Sequence, residues 1–219
     1  DADNLYYSSF NGVLFNETQT VLLTYPGGKT GDYIIPDGVA TVDNQAFYYC
    51  AGLSGVTIPG SVTAIGNAAF NNCTGLVSVN VPDSVTSMGN SVFRNCSNLV
   101  SASIGDGVPA LGFWTFNWCT KLASVTIGDS VTSIGNEAFQ YCIALTSVTL
   151  PAGVASIDYS AFDSCTALSA AHFRGNAPTM GTNVFRLCSG SFKVYYLYGK
   201  TGFTDPWYGY DTEIDTSDY

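Results

Sequence analysis

Residues 58–80 read I-P-G-S-V-T-A-I-G-N-A-A-F-N-N-C-T-G-L-V-S-V-N, and close copies follow at Val81 to Ser103 and Ile127 to Thr149. The cysteines stand at Cys50, Cys73, Cys96, Cys119, Cys142, Cys165 and Cys188, and every gap is 23 residues. Three residues earlier, Phe47, Phe70, Phe93, Phe116, Phe139, Phe162 and Phe185 keep the same step. Two parallel ladders of seven do not arise by chance, so the repeat comes before any other reading of the chain.

A unit this short cannot bury its own apolar side. Stacked copies can, because each apolar position lands on its counterpart one coil away. Val39-Val62-Val85-Val108-Val131-Val154 is one such column, and Leu53-Leu76-Leu99-Leu122-Leu145-Leu168 is another. The alternation in Leu145-Thr146-Ser147-Val148-Thr149-Leu150 predicts a short strand, and successive strands pair in parallel about 4.8 Å apart. Pro36, Pro59, Pro82 and Pro151 follow the strand and help end the pairing, having no N–H to donate. Gly66, Gly89, Gly112, Gly135 and Gly181 are read as permitting a tight turn. The A-F-x-x-C segment is read as a short helical or 3₁₀ turn that drops Phe and Cys inward. The expected architecture is therefore a right-handed α/β-type coil, with short parallel β-strands on the concave face and helical or 3₁₀ turns on the convex side.

Written in full, L-x-x-V-x-I-P-x-x-V-x-x-I-G-x-x-A-F-x-x-C resembles the BspA-like class of leucine-rich repeats, over residues 35–196. Asn11-Gly12-Val13-Leu14-Phe15 with Thr20-Val21-Leu22-Leu23-Thr24-Tyr25-Pro26 is similar to the hairpin that often opens such arrays. Val194-Tyr195-Tyr196-Leu197 with Gly199-Lys200-Thr201-Gly202-Phe203 resembles the tails that close them. The resemblance implies a leucine-rich-repeat solenoid. It also implies a bacterial protein that is secreted or displayed at the cell surface, with a role in adhesion or protein binding and no named partner.

Open solenoid ends expose apolar surface and strand edges, so caps are expected. Residues 1–34 are assigned to an N-terminal cap with a β-hairpin, 35–196 to seven repeats, and 197–219 to a C-terminal cap and acidic tail. All three belong to one continuous domain. Thr212 to Tyr219, polar and acidic, are expected to fray. Asp1-Ala2-Asp3-Asn4 lacks the basic and apolar regions of a signal peptide, as a mature or trimmed start would.

Composition narrows the partner. The net charge is −10, from 7 basic and 17 acidic residues, with no basic run. Nucleic acid is therefore excluded as a partner, since its binders displace counterions with a basic patch. No apolar stretch approaches the roughly 18 residues of a spanning helix, so membrane insertion is not expected. A protein partner or self-association fits best, and the alternatives are a structural spacer or subunit of an extracellular assembly and a carbohydrate-binding module.

No enzymatic activity, cofactor or metal is expected. The cysteine column reads as buried thiols that pack as small hydrophobes. Parallel side chains one coil apart hold their Cβ atoms farther apart than the ~3.8 Å a disulfide prefers. His172 reads as a solvent-exposed strand residue without the oriented partner a general base needs. Asp37, Asp83, Asp106 and Asp129 form a column that could attract Ca²⁺, against the plainer reading of Asp bonding to nearby backbone N–H groups. The sequons at Asn16, Asn72 and Asn95 are incidental to the repeat.

The fourth repeat breaks the consensus. It carries Phe113-Trp114 ahead of the inward Phe116, Trp118 beside Cys119, and Pro109 upstream. Tyr141 and Tyr159 occupy related positions in the next two repeats. Facing outward, Phe113, Trp114, Trp118, Tyr141 and Tyr159 would form an aromatic patch opposite the strands, the candidate contact site for a protein or other ligand. Packed on one another, they would instead be a local filler.

Overall fold

A computed structural model describes Asn4 and residues 6–216. The reading of Asp1-Ala2-Asp3 and the expected fraying of residues 217–219 lie outside the described residues. In chain order the strands are β1 (Tyr7–Phe10), β2 (Val13–Asn16), β3 (Val21–Thr24), β4 (Gly31–Ile34), β5 (Thr41–Val42), β6 (Leu53–Thr57), β7 (Ala64–Ile65), β8 (Ser78–Val81), β9 (Ser87–Met88) and β10 (Ser101–Ile104). They continue with β11 (Ala110–Leu111), β12 (Ser124–Thr126), β13 (Ser133–Ile134), β14 (Ser147–Leu150), β15 (Ser156–Ile157), β16 (Ala170–Phe173), β17 (Thr179–Met180), β18 (Lys193–Leu197) and β19 (Thr212–Asp215). Together they wind a β-solenoid of about eight turns.

The longer strands form a parallel ribbon in two runs, β4-β6-β8-β10-β12 and β14-β16-β18-β19. Its register follows the repeat, with Ser78 opposite Ser101 and Ser101 opposite Ser124. The two-residue strands form a second ribbon, also in two runs, β5-β7-β9 and β11-β13-β15-β17. Its break has a chemical cause. In other coils one residue donates its N–H to the coil before, as Thr86 does to Thr63 (2.9 Å) and Thr132 to Pro109 (2.9 Å). Pro109 occupies that position in the fourth repeat and has nothing to donate.

The side read as helical is not. Among the described residues there is no α or 3₁₀ helix. Two residues per coil adopt a left-handed backbone instead. One column is Gln45, Ala68, Ser91, Trp114, Glu137, Ser160 and Asn183, and the other is Tyr49, Asn72, Asn95, Trp118, Tyr141, Ser164 and Leu187, with φ between 52° and 62°. Each left-handed residue costs about 1 kcal/mol or more. In return, its N–H swings out of the local turn and toward the next coil. Ala68 donates to Asn90 (2.8 Å), Phe70 to Val92 (2.9 Å) and Asn72 to Arg94 (2.8 Å), and the triplet recurs coil after coil. A helix would have spent those donors within its own turn.

The repeat glycines also act differently from the expectation. Gly66, Gly89, Gly112, Gly135 and Gly181 do not take positive φ. A Cβ on Gly66 would lie 2.5 Å from the Asn44 backbone nitrogen, and one on Gly181 would lie 2.5 Å from that of Tyr159. Glycine is required there because adjacent coils touch.

Between the two faces lies the core. Phe47 through Phe185 stack ring on ring, with centroids 4.7 to 5.4 Å apart and planes within 19°. Beside them, each thiol from Cys73 to Cys188 donates to the carbonyl of a Phe one coil back, as Cys73 does to Phe47 (3.0 Å) and Cys119 to Phe93 (3.1 Å). All seven cysteines are free. Burial pushes the thiols of Cys96, Cys119, Cys142 and Cys188 up, Cys96 to about 12.

At the N-terminal end, Tyr25 stands in for a preceding Phe. It stacks on Phe47 at 5.0 Å, and its carbonyl receives the Cys50 thiol (3.7 Å). The expected hairpin is β2–β3, and β1 extends it through a turn at Asn11-Gly12, whose φ values are 50° and 77°. At the other end, Phe203 and Trp207 pack against Phe173, while Tyr210 meets Phe185 edge-on. The tail corrects the expectation of fraying as far as Asp215, because β19 pairs in parallel with β18.

Candidate interaction surface on the turn side

The five aromatic residues stand on the turn side, in columns whose other members show what each position normally does. Asn44, Asn67 and Asn90 share a column with Phe113, Asn136 and Tyr159. There the Asn side chain caps the next coil. Asn44 Oδ1 accepts from the Asn67 N–H (2.7 Å), Asn67 Oδ1 from Asn90 (2.8 Å), and Asn90 Oδ1 from Phe113 (3.1 Å). Phe113 receives this bond and cannot pass it on. The series resumes when Asn136 accepts from Tyr159 (3.1 Å), and Tyr159 ends it again. Phe113 and Tyr159 remain 42% and 46% exposed, so neither replaces the lost bond with burial.

Trp114 and Trp118 fill the two left-handed columns. That conformation is unusual for a bulky side chain. Trp114 meets Phe113 edge-on at 5.3 Å and donates its indole N–H to Glu137 (2.9 Å), and the Arg94 guanidinium lies 4.7 Å from its ring centroid. Trp118, 44% exposed, stacks on Tyr141 at 4.1 Å. The structure thus groups the residues as Phe113 with Trp114 and as Trp118 with Tyr141. Tyr159 stands alone, about 10 Å from Phe113 at two coil spacings. The groups are packed and exposed at once.

A row of polar side chains runs between the two left-handed columns. Arg94 Nε donates to Asn117 (3.3 Å), Asn117 Nδ2 to Gln140 (3.1 Å), and Gln140 Nε2 to Asp163 (3.0 Å). Arg186 closes the row on Asp163 through Nε (3.0 Å) and Nη2 (2.7 Å). Burial works to raise the Asp163 pKa, but the hydrogen bonds from Arg186, Gln140 and Ser164 outweigh it and hold the carboxyl below its ordinary value. The sequence reading missed Arg94 and Glu137. The available signal was their place one coil from Asn117 and Trp114.

Elsewhere the candidates fare differently. Asp83 Oδ1 accepts from the Asp106 N–H (2.9 Å) and Asp106 Oδ1 from Asp129 (2.8 Å), so these two bond backbone N–H groups, but on the following coil and not in their own turn. No cluster of three or more metal-ligating side chains occurs among the described residues. Ser78, Ser101, Ser124 and Ser147 line the long ribbon, but the face changes toward its C-terminal end. His172 is not a simple surface residue. It stacks on Tyr195 at 4.9 Å, and its Nδ1 lies 2.7 Å from Asp215, a buried residue of β19. The tail, expected to be loose, supplies that partner.

Parallel coils, a leucine column and an inward Phe-x-x-Cys define a leucine-rich-repeat solenoid. The chain belongs to the BspA type leucine-rich repeat family, whose sequence model matches in six copies over residues 29–112 and 98–198. Among solved structures it is similar to a leucine-rich repeat protein from Eubacterium ventriosum, with 29% identity over 92% of this chain and a TM-score of 0.81. It spans 54% of that protein's length, about half. It is also similar to a leucine-rich repeat protein of T. pallidum, with 29% identity over 84% of this chain and 88% of the other, and a TM-score of 0.69. No curated protein matches.

Proposed function

We propose that this chain is a non-enzymatic protein-interaction module of the adhesin type, secreted or displayed on a bacterial surface, and that Phe113, Trp114, Trp118, Tyr141 and Tyr159 make the contact. Family membership supports the interaction role, since stacked repeats offer long surfaces for partners. One observation carries the choice of surface. At Phe113 and Tyr159 the repeat gives up an inter-coil hydrogen bond to place an exposed aromatic ring, which folding does not require. Rigid aromatic side chains gain contact area at low entropic cost. Carbohydrate is the weaker alternative, because sugars stack on open ring faces, and Arg94 and Tyr141 each cover a face of the two tryptophans.

The test is a binding screen of the wild-type chain against a panel of extracellular proteins and a glycan array. The triple variant Phe113→Asn, Trp114→Ser, Trp118→Asn is run alongside, with its fold checked by circular dichroism. Protein hits that disappear with the triple variant support the proposal. Hits unchanged by it, or hits confined to glycans, refute it.

A further inference from the structure

Charge is distributed unevenly over this molecule. The chain as a whole carries −10. Yet on the turn side of the three central coils, residues 88–98, 111–121 and 134–144, the charged residues are Arg94, Lys121 and Glu137, one of them acidic. Glu137 is committed to the Trp114 indole, and Lys121 Nζ donates to Asn98 (2.7 Å). Arg186, at the C-terminal end of the polar row, is neutralised by Asp163. Arg94, at the other end, has no carboxylate partner among the described residues, in a chain with more than two acidic groups for every basic one. It is nonetheless held in place. Its Nε is fixed by Asn117 (3.3 Å), and its guanidinium lies on the Trp114 ring at 4.7 Å. Those contacts leave the two terminal nitrogens, which form the fork that matches a carboxylate.

We infer that Arg94 is the specificity-determining residue of the aromatic surface, and that the partner is a protein segment presenting an Asp or Glu carboxylate beside an apolar side chain. The carboxylate takes the Arg94 fork, and the apolar neighbour packs on Phe113, Trp114 and Trp118. Because the fork is already ordered, little side-chain entropy is lost when the pair forms. The inference rests on the proposed contact surface and adds the chemistry of its partner.

A random peptide display library supplies the probe. Peptides are selected on the wild-type chain and depleted on the Trp114→Ser, Trp118→Asn double variant. The survivors are then synthesised and titrated against wild type, Arg94→Gln and Arg94→Lys, each checked for unchanged thermal unfolding. The expected survivors carry Asp or Glu next to an apolar residue and bind Arg94→Gln about tenfold or more weakly. Arg94→Lys is intermediate, and added salt weakens binding. Replacing the peptide's acid by its amide costs affinity on wild type but nothing further on Arg94→Gln. Survivors that bind Arg94→Gln as well as wild type overturn the carboxylate assignment and leave the contact surface standing. If no peptide distinguishes wild type from the double variant, the contact surface falls and the inference falls with it.

Discussion

The turn segment of the second repeat, Gly66 to Cys73, and that of the fourth, Gly112 to Cys119, share a backbone and almost nothing on the outside. Left-handed residues fall at Ala68 and Asn72 in one and at Trp114 and Trp118 in the other, with φ of 53° and 61° against 59° and 62°. Phe70 and Phe116 are equally buried, as are Cys73 and Cys119. Asn67 caps the next coil, whereas Phe113 does not. The comparison separates two kinds of information in the sequence. Columns that point inward specify the coil. Positions between them are free to vary at little structural cost, so a departure there reports on contact and not on fold.

The largest predicted effect tests the inward half of the comparison as a whole. Burial pushes the thiols of Cys96, Cys119, Cys142 and Cys188 above the ordinary 9.0, Cys96 to about 12. The folded state therefore keeps neutral thiols where the unfolded chain releases protons. Stability is fully present below pH 9 and is lost as pH rises toward 12. The loss amounts to several kcal/mol per pH unit for the four together. Urea unfolding at a series of pH values should show the midpoint falling steeply above pH 9. A flat profile to pH 11 would mean the thiols are not held in the core.

Next in size is Phe93→Ala. It removes a ring stacked between Phe70 and Phe116 and should cost about 3–5 kcal/mol by urea unfolding. Gly66→Ala should cost about 1–3 kcal/mol, because its Cβ meets backbone at 2.5 Å. Gly60→Ala, with nothing within 4 Å, should be neutral or slightly stabilising. Equal effects at the two glycines would refute the close-approach account.

Much of this was legible in the residues themselves. Phe47 to Phe185 and Cys50 to Cys188 revealed the coil because burial tolerates few substitutes. The left-handed columns were hidden because Gln45, Ala68, Ser91 and Trp114 have no chemistry in common. An inter-coil hydrogen bond imposes their backbone, not local preference. The repeat glycines suggested a turn because a close approach between coils leaves no separate mark in the sequence. Strand β1 was overlooked although Asn11-Gly12 is a strong hairpin dipeptide. Likewise, the His172–Asp215 pair joins residues 43 positions apart, outside any 23-residue step. Of the contact surface, the aromatic residues stood out by breaking the pattern. Arg94 did not, because its significance depends on what surrounds it.

The smallest changes probe the outward half. Trp118→Ala removes the stack on Tyr141 from an exposed position and should cost about 1 kcal/mol, well below the Phe93 effect, in the same unfolding assay. A loss as large as that of Phe93→Ala would mark Trp118 as core.

Phe113→Asn tests most directly whether the fourth repeat trades stability for contact. It restores the capping side chain at the position where Asn67 and Asn90 bond the following coil. By urea unfolding, the variant should be more stable than wild type by up to about 1 kcal/mol. A variant that is instead less stable by that amount would show that Phe113 fills space the fold requires, and would contradict the reading of this surface.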